Sequence, residues 1–200
     1  MSAVLTPQHM TPDEYLAWED MQQERHEYLD GEIFAMTGAR VAHNMIVVNA
    51  LTFFRQSLRG GPCQVFGADL KLRIDAANAF LYPDVMVTCD PHDAISGSDV
   101  AIRHPWLIVE VLSDSTAAYD RGAKFELYRR VESLTHYLLV EQTRPYAELF
   151  RKNAQGEWVL QPLAAGETLH IERPHAFDWP MASLFDGVPF EPAPPVTSGR

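Results

Sequence analysis

Trp106-Leu107-Ile108-Val109-Glu110-Val111-Leu112 (WLIVEVL) is apolar at every position but one. A short run of this kind reads as a strand covered on both faces, the centre of a sheet with other layers packed against it. Glu110 is the exception. An ionised carboxylate there loses water on every side, and such groups are rarely fully buried unless paired or metal-bound. Two-residue periodicity puts Glu110 on one face with Ile108 and Leu112, and Val109 and Val111 on the other.

Downstream, Ser113 to Thr116 supply N-cap candidates for a helix running to about Val131, with Phe125, Tyr128 and Val131 as its apolar stripe. Strands follow over Thr135–Val140, Tyr146–Arg151 and Trp158–Leu163, the last two joined around Asn153 to Gly156. Upstream, Asp90 to His104 is loop-like in composition. Gln64–Ile74 and Phe80–Thr88 read as strands joined through Asp75 to Asn78. His43, Val47, Ala50 and Phe54 mark one face of a helix over Val41–Leu58, ended by Gly60-Gly61-Pro62. Asp30-Gly31 is the turn of a hairpin over Glu27–Met36 that carries Glu32 on its second strand. Thr11-Pro12-Asp13-Glu14 has the pattern of a capped helix start, predicting a helix to about Gln23. There is no internal repeat, and this order predicts an α/β (α+β) chain with one mixed sheet flanked by helices.

The 200 residues, 46% hydrophobic and 22% charged, match one soluble domain over 1–190, with EPAPPVTSGR at 191–200 as a disordered tail. No apolar stretch approaches the ~18 residues of a membrane span, and the N-terminus lacks a signal-peptide pattern, so the cytoplasm is the expected compartment. Cys63 and Cys89 fall in no paired motif, and neither a disulfide framework nor a structural zinc is expected. A net charge of −11 argues against a broad phosphate-tracking surface but leaves room for a small metal-bridged site. Neither a glycine-rich phosphate loop, a GxSxG elbow nor an HExxH pair occurs.

Tyr82-Pro83-Asp84-Val85-Met86-Val87 is a second apolar strand with a carboxylate near its start. Adjacent strands would bring Asp84 and Glu110 to one pocket, the oxygen-rich arrangement that Mg²⁺ or Mn²⁺ uses. Lys124, four residues after Asp120, is a candidate cation partner on the next helix. Plainer roles compete: a turn cap for Asp84, a buried ion pair of Glu110 with Arg103, Arg129 or Lys71, and an i, i+4 pair of Lys124 with Asp120. Asp69 and Lys71 share one face of their strand, at the pocket or at a solvated edge.

Pro83-Asp84, Glu110-Val111-Leu112-Ser113, Asp120-Arg121 and Lys124 together resemble the Uma-two family, a bacterial branch of the PD-(D/E)xK, restriction-endonuclease-like superfamily. The segments DGEIFAM (30–36) with His43 downstream, YPDVMVTCDP (82–91), WLIVEVLSDSTAAYDRGAKFELYRR (106–130) and YLLVE (137–141) extend the likeness over roughly Thr11 to Phe185. The resemblance implies an αβββαβ core with extra antiparallel strands on its C-terminal side. It implies a metal-dependent endonuclease with Mg or Mn held by Asp84, Glu110 and the backbone carbonyl of Val111. The lysine expected two residues after the glutamate is Leu112 here, and Lys124 is the matching lysine. Glu32, His43 and Asp69 stand as additional pocket residues.

The implied partner is nucleic acid, DNA ahead of RNA, with a homodimer suited to two-strand cutting. Arg121, Lys124, Arg129 and Arg130 are candidates for a local basic patch. The alternative functions are an inactive binding or assembly module on the same fold and a metal-dependent hydrolase of a smaller phosphoester.

Overall fold

A computed structural model describes residues 9–36, 38–93 and 100–190. The expected tail at 191–200 and the N-terminal residues 1–8 lie outside this range, as does part of the expected loop before Trp106. Helix α1 (Pro12–Glu19) starts with the expected capping box between Thr11 and Glu14 and stops short of the predicted Gln23. Strands β1 (His26–Leu29) and β2 (Glu32–Ala35) form the hairpin. Its turn residues Asp30 (φ 46°) and Gly31 (φ 95°) adopt the left-handed conformations that such a two-residue turn requires. Helix α2 spans Val41–Ser57. There follow β3 (Gln64–Gly67), β4 (Lys71–Ile74), β5 (Ala79–Leu81), β6 (Val85–Thr88), β7 (Ala101–Ile102) and the eight-residue β8 (Pro105–Leu112). The next helical stretch comprises α3 (Ala117–Tyr119), a π-helical turn (Asp120–Lys124) and α4 (Phe125–Tyr128). The chain closes with β9 (His136–Glu141), β10 (Tyr146–Lys152), β11 (Trp158–Ala164), β12 (Thr168–Ile171), β13 (Phe177–Pro180) and α5 (Met181–Leu184).

The architecture is mixed α+β, but the single expected sheet is two mixed sheets and a ribbon. One sheet has the order β11-β10-β9-β8-β6-β3, the other β2-β1-β5-β4-β7, and β12 pairs with β13. The cause lies in the two long strands read from the sequence. Gln64–Ile74 is interrupted between Gly67 and Lys71, and Phe80–Thr88 is interrupted at Tyr82-Pro83-Asp84, where proline has no N–H to give to a ladder. The first half of one strand (β3) and the second half of the other (β6) pair in the six-stranded sheet, while β4 and β5 pair in the second. Asp84 therefore stands where the two sheets part.

Strand β8 is buried at all eight positions, and its alternation is as the sequence predicts. Leu107, Val109 and Val111 enter a core closed by Ile46, Ala50 and Phe54 of α2 and by Trp179 of the ribbon. Ile108 and Leu112 enter a core closed by Phe125 and Tyr128 of α4 and by Leu72 and Leu81 of the second sheet. Each such aliphatic residue, fully buried, contributes roughly 1.5–3 kcal/mol. The ribbon and α5 cover the first core and carry no pattern recognised in the sequence.

Cys63 and Cys89 are joined as a disulfide, contrary to expectation. They flank β3 and β6, whose antiparallel register places Gln64 opposite Thr88 and so sets the two cysteines side by side. Among the described residues no helix is long and apolar enough to cross a membrane.

Candidate active site

The antiparallel register of β6 with β8 pairs Val85 with Val109, so Asp84 comes level with Glu110 one step further on. The main-chain N–H of Val111 donates to Asp84 Oδ2 at 2.7 Å, and His43 Nε2 lies 3.0 Å from Asp84 Oδ1. His43 reaches this point from the first turn of α2. Burial opposes a charge on its ring, but the hydrogen bond and the charge of Asp84, with Asp120 and the Val111 main chain, raise its pKa overall.

Glu110 Oε1 accepts from the Tyr128 hydroxyl at 2.5 Å and lies 2.9 Å from Lys124 Nζ. The same ammonium is 3.1 Å from Glu27 Oε1 and 3.9 Å from Asp120 Oδ1. Burial drives the Glu110 pKa well above the usual carboxylate range; Lys124 and Tyr128 oppose this, while the charges of Asp84 and Asp120 reinforce it. Asp120 is raised as well, chiefly by burial. Lys124 is raised despite its burial, because Glu110, Glu27 and Asp120 surround it. The π-helical turn delivers this lysine: both Asp120 and Lys124 are buried at its two ends, facing the cluster. A hydrogen bond from Tyr137 to the Asp120 carbonyl, 3.0 Å, anchors the turn to β9.

Behind the cluster, hydrogen bonds to Glu19 tie in α1. Glu27 Oε1 accepts the Tyr82 N–H at 3.2 Å, the Tyr82 hydroxyl donates to Glu19 Oε1 at 2.9 Å, and His26 N–H donates to the same oxygen at 2.9 Å. Glu19, Glu27, Tyr82, Asp84, Glu110, Asp120 and Lys124 line a cleft of about 1060 Å³ between the sheets. At its mouth lie the exposed pairs Arg25–Asp69 (2.7 Å) and Arg40–Asp114 (3.3 Å), and Lys71 Nζ stands 5.3 Å over the Tyr82 ring. Burial lowers the Lys71 pKa, with Glu19 and Asp20 opposing.

Asp84, Glu110, Lys124, His43 and Val111 thus meet in one cleft, and Asp69 sits at its rim with its side chain 84% exposed. Glu32 does not reach it: it opens the edge strand β2, exposed, opposite Leu29. The hairpin carboxylate that does arrive is Glu27, on β1, which sequence reasoning passed over. The short strand His-Glu-Tyr-Leu carries no apolar run like that around Glu110, so its burial is evident only in the structure. None of the three ion-pair partners considered for Glu110 is its partner. Arg103 pairs with Asp75, Arg129 lies over Phe125 and Lys71 over Tyr82. Nor do the four basic residues of the helix form a patch. Arg121 is held by Glu141 and Glu148, Arg130 pairs with Glu126, Arg129 covers Phe125, and Lys124 is buried.

Among the described residues no three His, Cys, Asp or Glu side chains form a ready-made metal cage. Mg²⁺ does not require one, since it binds through one or two carboxylates and completes its shell with water and substrate oxygens. The donors here are of the matching kind. Glu27, Asp84, Glu110 and Asp120 bring four carboxylates to one cleft, three of them 2.9–3.9 Å from the single ammonium of Lys124, so acidic groups outnumber it. The residues present fit a hard divalent cation by donor chemistry and by charge.

The fold is that of a restriction-endonuclease-like protein, and the chain belongs to the family Uma2, described as "Putative restriction endonuclease", which matches residues 12–182. It is 44% identical over 163 residues to the uncharacterized protein slr1290 of Synechocystis sp. (strain PCC 6803), covering 82% of this chain and 85% of that one. A second protein of that organism, the uncharacterized sll1609, is 34% identical over 172 residues, covering 86% and 97%. In fold the chain is similar to a crystal structure described as "a putative nuclease belonging to DUF820" from Anabaena variabilis ATCC 29413. The TM-score is 0.71 at 13% identity, with 88% of this chain and 97% of that one covered.

Proposed function

We propose that the chain is a metal-dependent endonuclease that hydrolyses phosphodiester bonds, with DNA ahead of RNA as substrate, and that the cleft between the two sheets is its active site. The observation that carries this reading is the meeting of Asp84, Glu110 and Lys124 from three separate elements, with Lys124 Nζ 2.9 Å from Glu110. Asp84, Glu110 and the main-chain carbonyl of Val111 would hold Mg²⁺ or Mn²⁺. Such an ion supplies charge neutralisation at the phosphate oxygens and a bound water of lowered pKa.

The protein's own groups have distinct tasks. Lys124 stays protonated throughout the neutral range, because three carboxylates raise its pKa. It therefore serves as a fixed positive charge and donor toward the phosphate, not as a base. Tyr128 fixes Glu110 by its 2.5 Å hydrogen bond, and His43 with the Val111 N–H fixes both oxygens of Asp84. Arg25 and Arg40, by exchanging their exposed pairs with Asp69 and Asp114 for phosphate, and Lys71 would supply cations for phosphates flanking the cut. A second copy of the chain, related by twofold symmetry, would be needed to cut both strands of a duplex at once.

The test is incubation of the purified chain with single- and double-stranded DNA and RNA in Mg²⁺ or Mn²⁺, beside EDTA and Glu110→Gln controls. Cleavage that disappears in both controls is expected. Cleavage surviving Glu110→Gln, or none on any polymer, would turn the assignment toward a binding module or a smaller phosphoester.

A further inference from the structure

Away from the cleft, the Cys63–Cys89 disulfide borders a second, smaller pocket of about 160 Å³. Its lining brings Cys63, Leu58 and Val65 together with Arg55, Arg59 and the Gly60-Gly61 turn. Arg55 stands in the last turn of α2, and Arg59 comes four residues later, past the helix end. Both are exposed, and the ion pairs among the described residues take up other arginines and neither of these. A guanidinium stays charged at any working pH, and two of them at one small pocket repel each other. In a chain of net charge −11, a pocket whose two cations pair with no described carboxylate suits an anion from outside.

The disulfide gives such an anion something to react with. Both cysteines are half-buried, so the bond is not sealed in the core, and Cys63 is the one that lines the pocket. Disulfides are opened by thiolates, which are themselves anions, and nearby guanidinium groups favour both the thiolate and the negative charge of its attack. A small thiol that also carries a carboxylate matches this combination of sulfur and paired cations.

The bond also holds a strand that reaches the cleft. Strand β3 ends the six-stranded sheet and pairs there with β6 alone, over four residues. The disulfide fastens one end of that pairing, one step beyond Gln64 and Thr88. From the other end, at Gly67, the chain runs directly into Ala68 and Asp69 of the cleft wall.

We propose that Cys63–Cys89 is a reversible thiol–disulfide exchange site, that a small anionic thiol docked on Arg55 and Arg59 opens it, and that opening loosens β3 and the cleft wall beyond it. The thiolate attacks Cys63 Sγ and forms a mixed disulfide, while Cys89 leaves as a thiolate and takes a proton from water. A second thiol then attacks the small molecule's sulfur and releases Cys63. Two small thiols are thereby oxidised to one small disulfide, and the protein disulfide is reduced to two thiols. This site goes beyond the nuclease reading and does not depend on it.

The test treats the full oxidised chain, under native conditions, with mercaptopropionate, mercaptoethanol and cysteamine, whose second groups are anionic, neutral and cationic. Each rate per thiolate is divided by that of the same thiol on bis-hydroxyethyl disulfide, which removes differences in nucleophilicity. Alkylation of released thiols and peptide mass mapping locate the mixed disulfide. The anionic thiol should react about fivefold faster than the neutral one and the cationic thiol slower still, the size expected for two guanidinium groups acting through water. The mixed disulfide should form at Cys63, and Arg55→Gln with Arg59→Gln should abolish the charge order. If that double variant does not fold, Arg59→Gln alone, outside the helix, should weaken the order. In the reduced chain, amide hydrogen exchange should rise about tenfold over residues 64–69 and stay unchanged in β8 and β9.

A bond that reacts only in denaturant is a structural staple and overturns the proposal. Rates indifferent to thiol charge, a charge order that survives the arginine substitutions, or attachment at Cys89 overturn it as well. Exchange over residues 64–69 that is the same in oxidised and reduced chains overturns the link to the cleft wall.

Discussion

Lys124 carries its charge among the buried carboxylates of Glu27, Glu110 and Asp120, and removing it leaves them without their compensating charge. Lys124→Met should therefore cost about 3–5 kcal/mol of folding stability at pH 8, the usual penalty for breaking a buried pair from one side. The cost should shrink as pH falls. The Glu110 pKa is raised in the folded protein, so the folded state takes up a proton that the unfolded state still refuses, and stability rises toward acid. Urea melts of wild type and variant at pH 8 and pH 5.5 check this; a pH-independent deficit would contradict it. His136 has the opposite sign. It opens β9, buried against Trp106 at 5.4 Å between ring centroids, and burial with the charge of Arg151 lowers its pKa from 6.5 to about 4. Between those values the unfolded chain binds a proton that the folded chain excludes, so this residue removes stability as pH falls through that window. The loss by pH 4.5 is roughly 2–3 kcal/mol. His136→Gln should flatten that part of the stability profile, as read from denaturant melts at pH 7 and 4.5.

At the scale of elements, the broken pair of strands does most to build the site. Had β4 with β3, and β5 with β6, continued as one hairpin, Asp84 would have been a ladder residue with its main chain paired. The interruption at Tyr82-Pro83-Asp84 frees it to accept from Val111 and to face the cleft. The open end of this hairpin is clamped by the Cys63–Cys89 disulfide, closing a separation of 26 residues. A loop of that size makes the bond worth about 3 kcal/mol through the unfolded state. Cys63→Ser with Cys89→Ser should lower the melting temperature by roughly 6–12 °C, given 2–4 °C per kcal/mol for a chain of this size. An unchanged melting curve would show that the pairing of β3 with β6 holds the cysteines without help. The disulfide was not legible in the sequence because the cysteines share no motif and only strand register makes them neighbours. The π-helical turn was hidden for a similar reason. Helical periodicity spaces Asp120 and Lys124 as a solvated i, i+4 pair, whereas the widened turn directs both inward.

For the molecule as a whole, the sequence was most readable where burial and chemistry conflict. Glu110 in an otherwise apolar strand announced the cleft, and period-two alternation along β8 correctly divided its neighbours between two cores. The α+β class, the hairpin, α2 and the strands after Thr135 followed from turns and periodicity. The division into two sheets did not, because it depends on which half-strands pair. Glu27 was passed over for Glu32, although both stand in one hairpin, because a four-residue strand does not reveal which of its partners covers it. The ribbon of β12 and β13 was missed because its four-residue strands are joined without a tight turn pair like the Asp30-Gly31 that marks β1 and β2. The proposed nuclease function gives these pieces a common purpose, a cleft whose carboxylates and lysine are to act as one unit. The most direct measurement is the single-turnover cleavage rate of one labelled DNA in Mn²⁺ by wild type, Asp84→Asn, Glu110→Gln, Lys124→Met and the Asp84→Asn/Glu110→Gln double variant. Each protein is first confirmed as folded by circular dichroism. Each single change should slow cleavage by about a hundredfold or more, and the double variant should lose little beyond either of its single changes. Cleavage at the wild-type rate by any folded single variant, or losses that multiply in the double, would contradict an active site built on these residues.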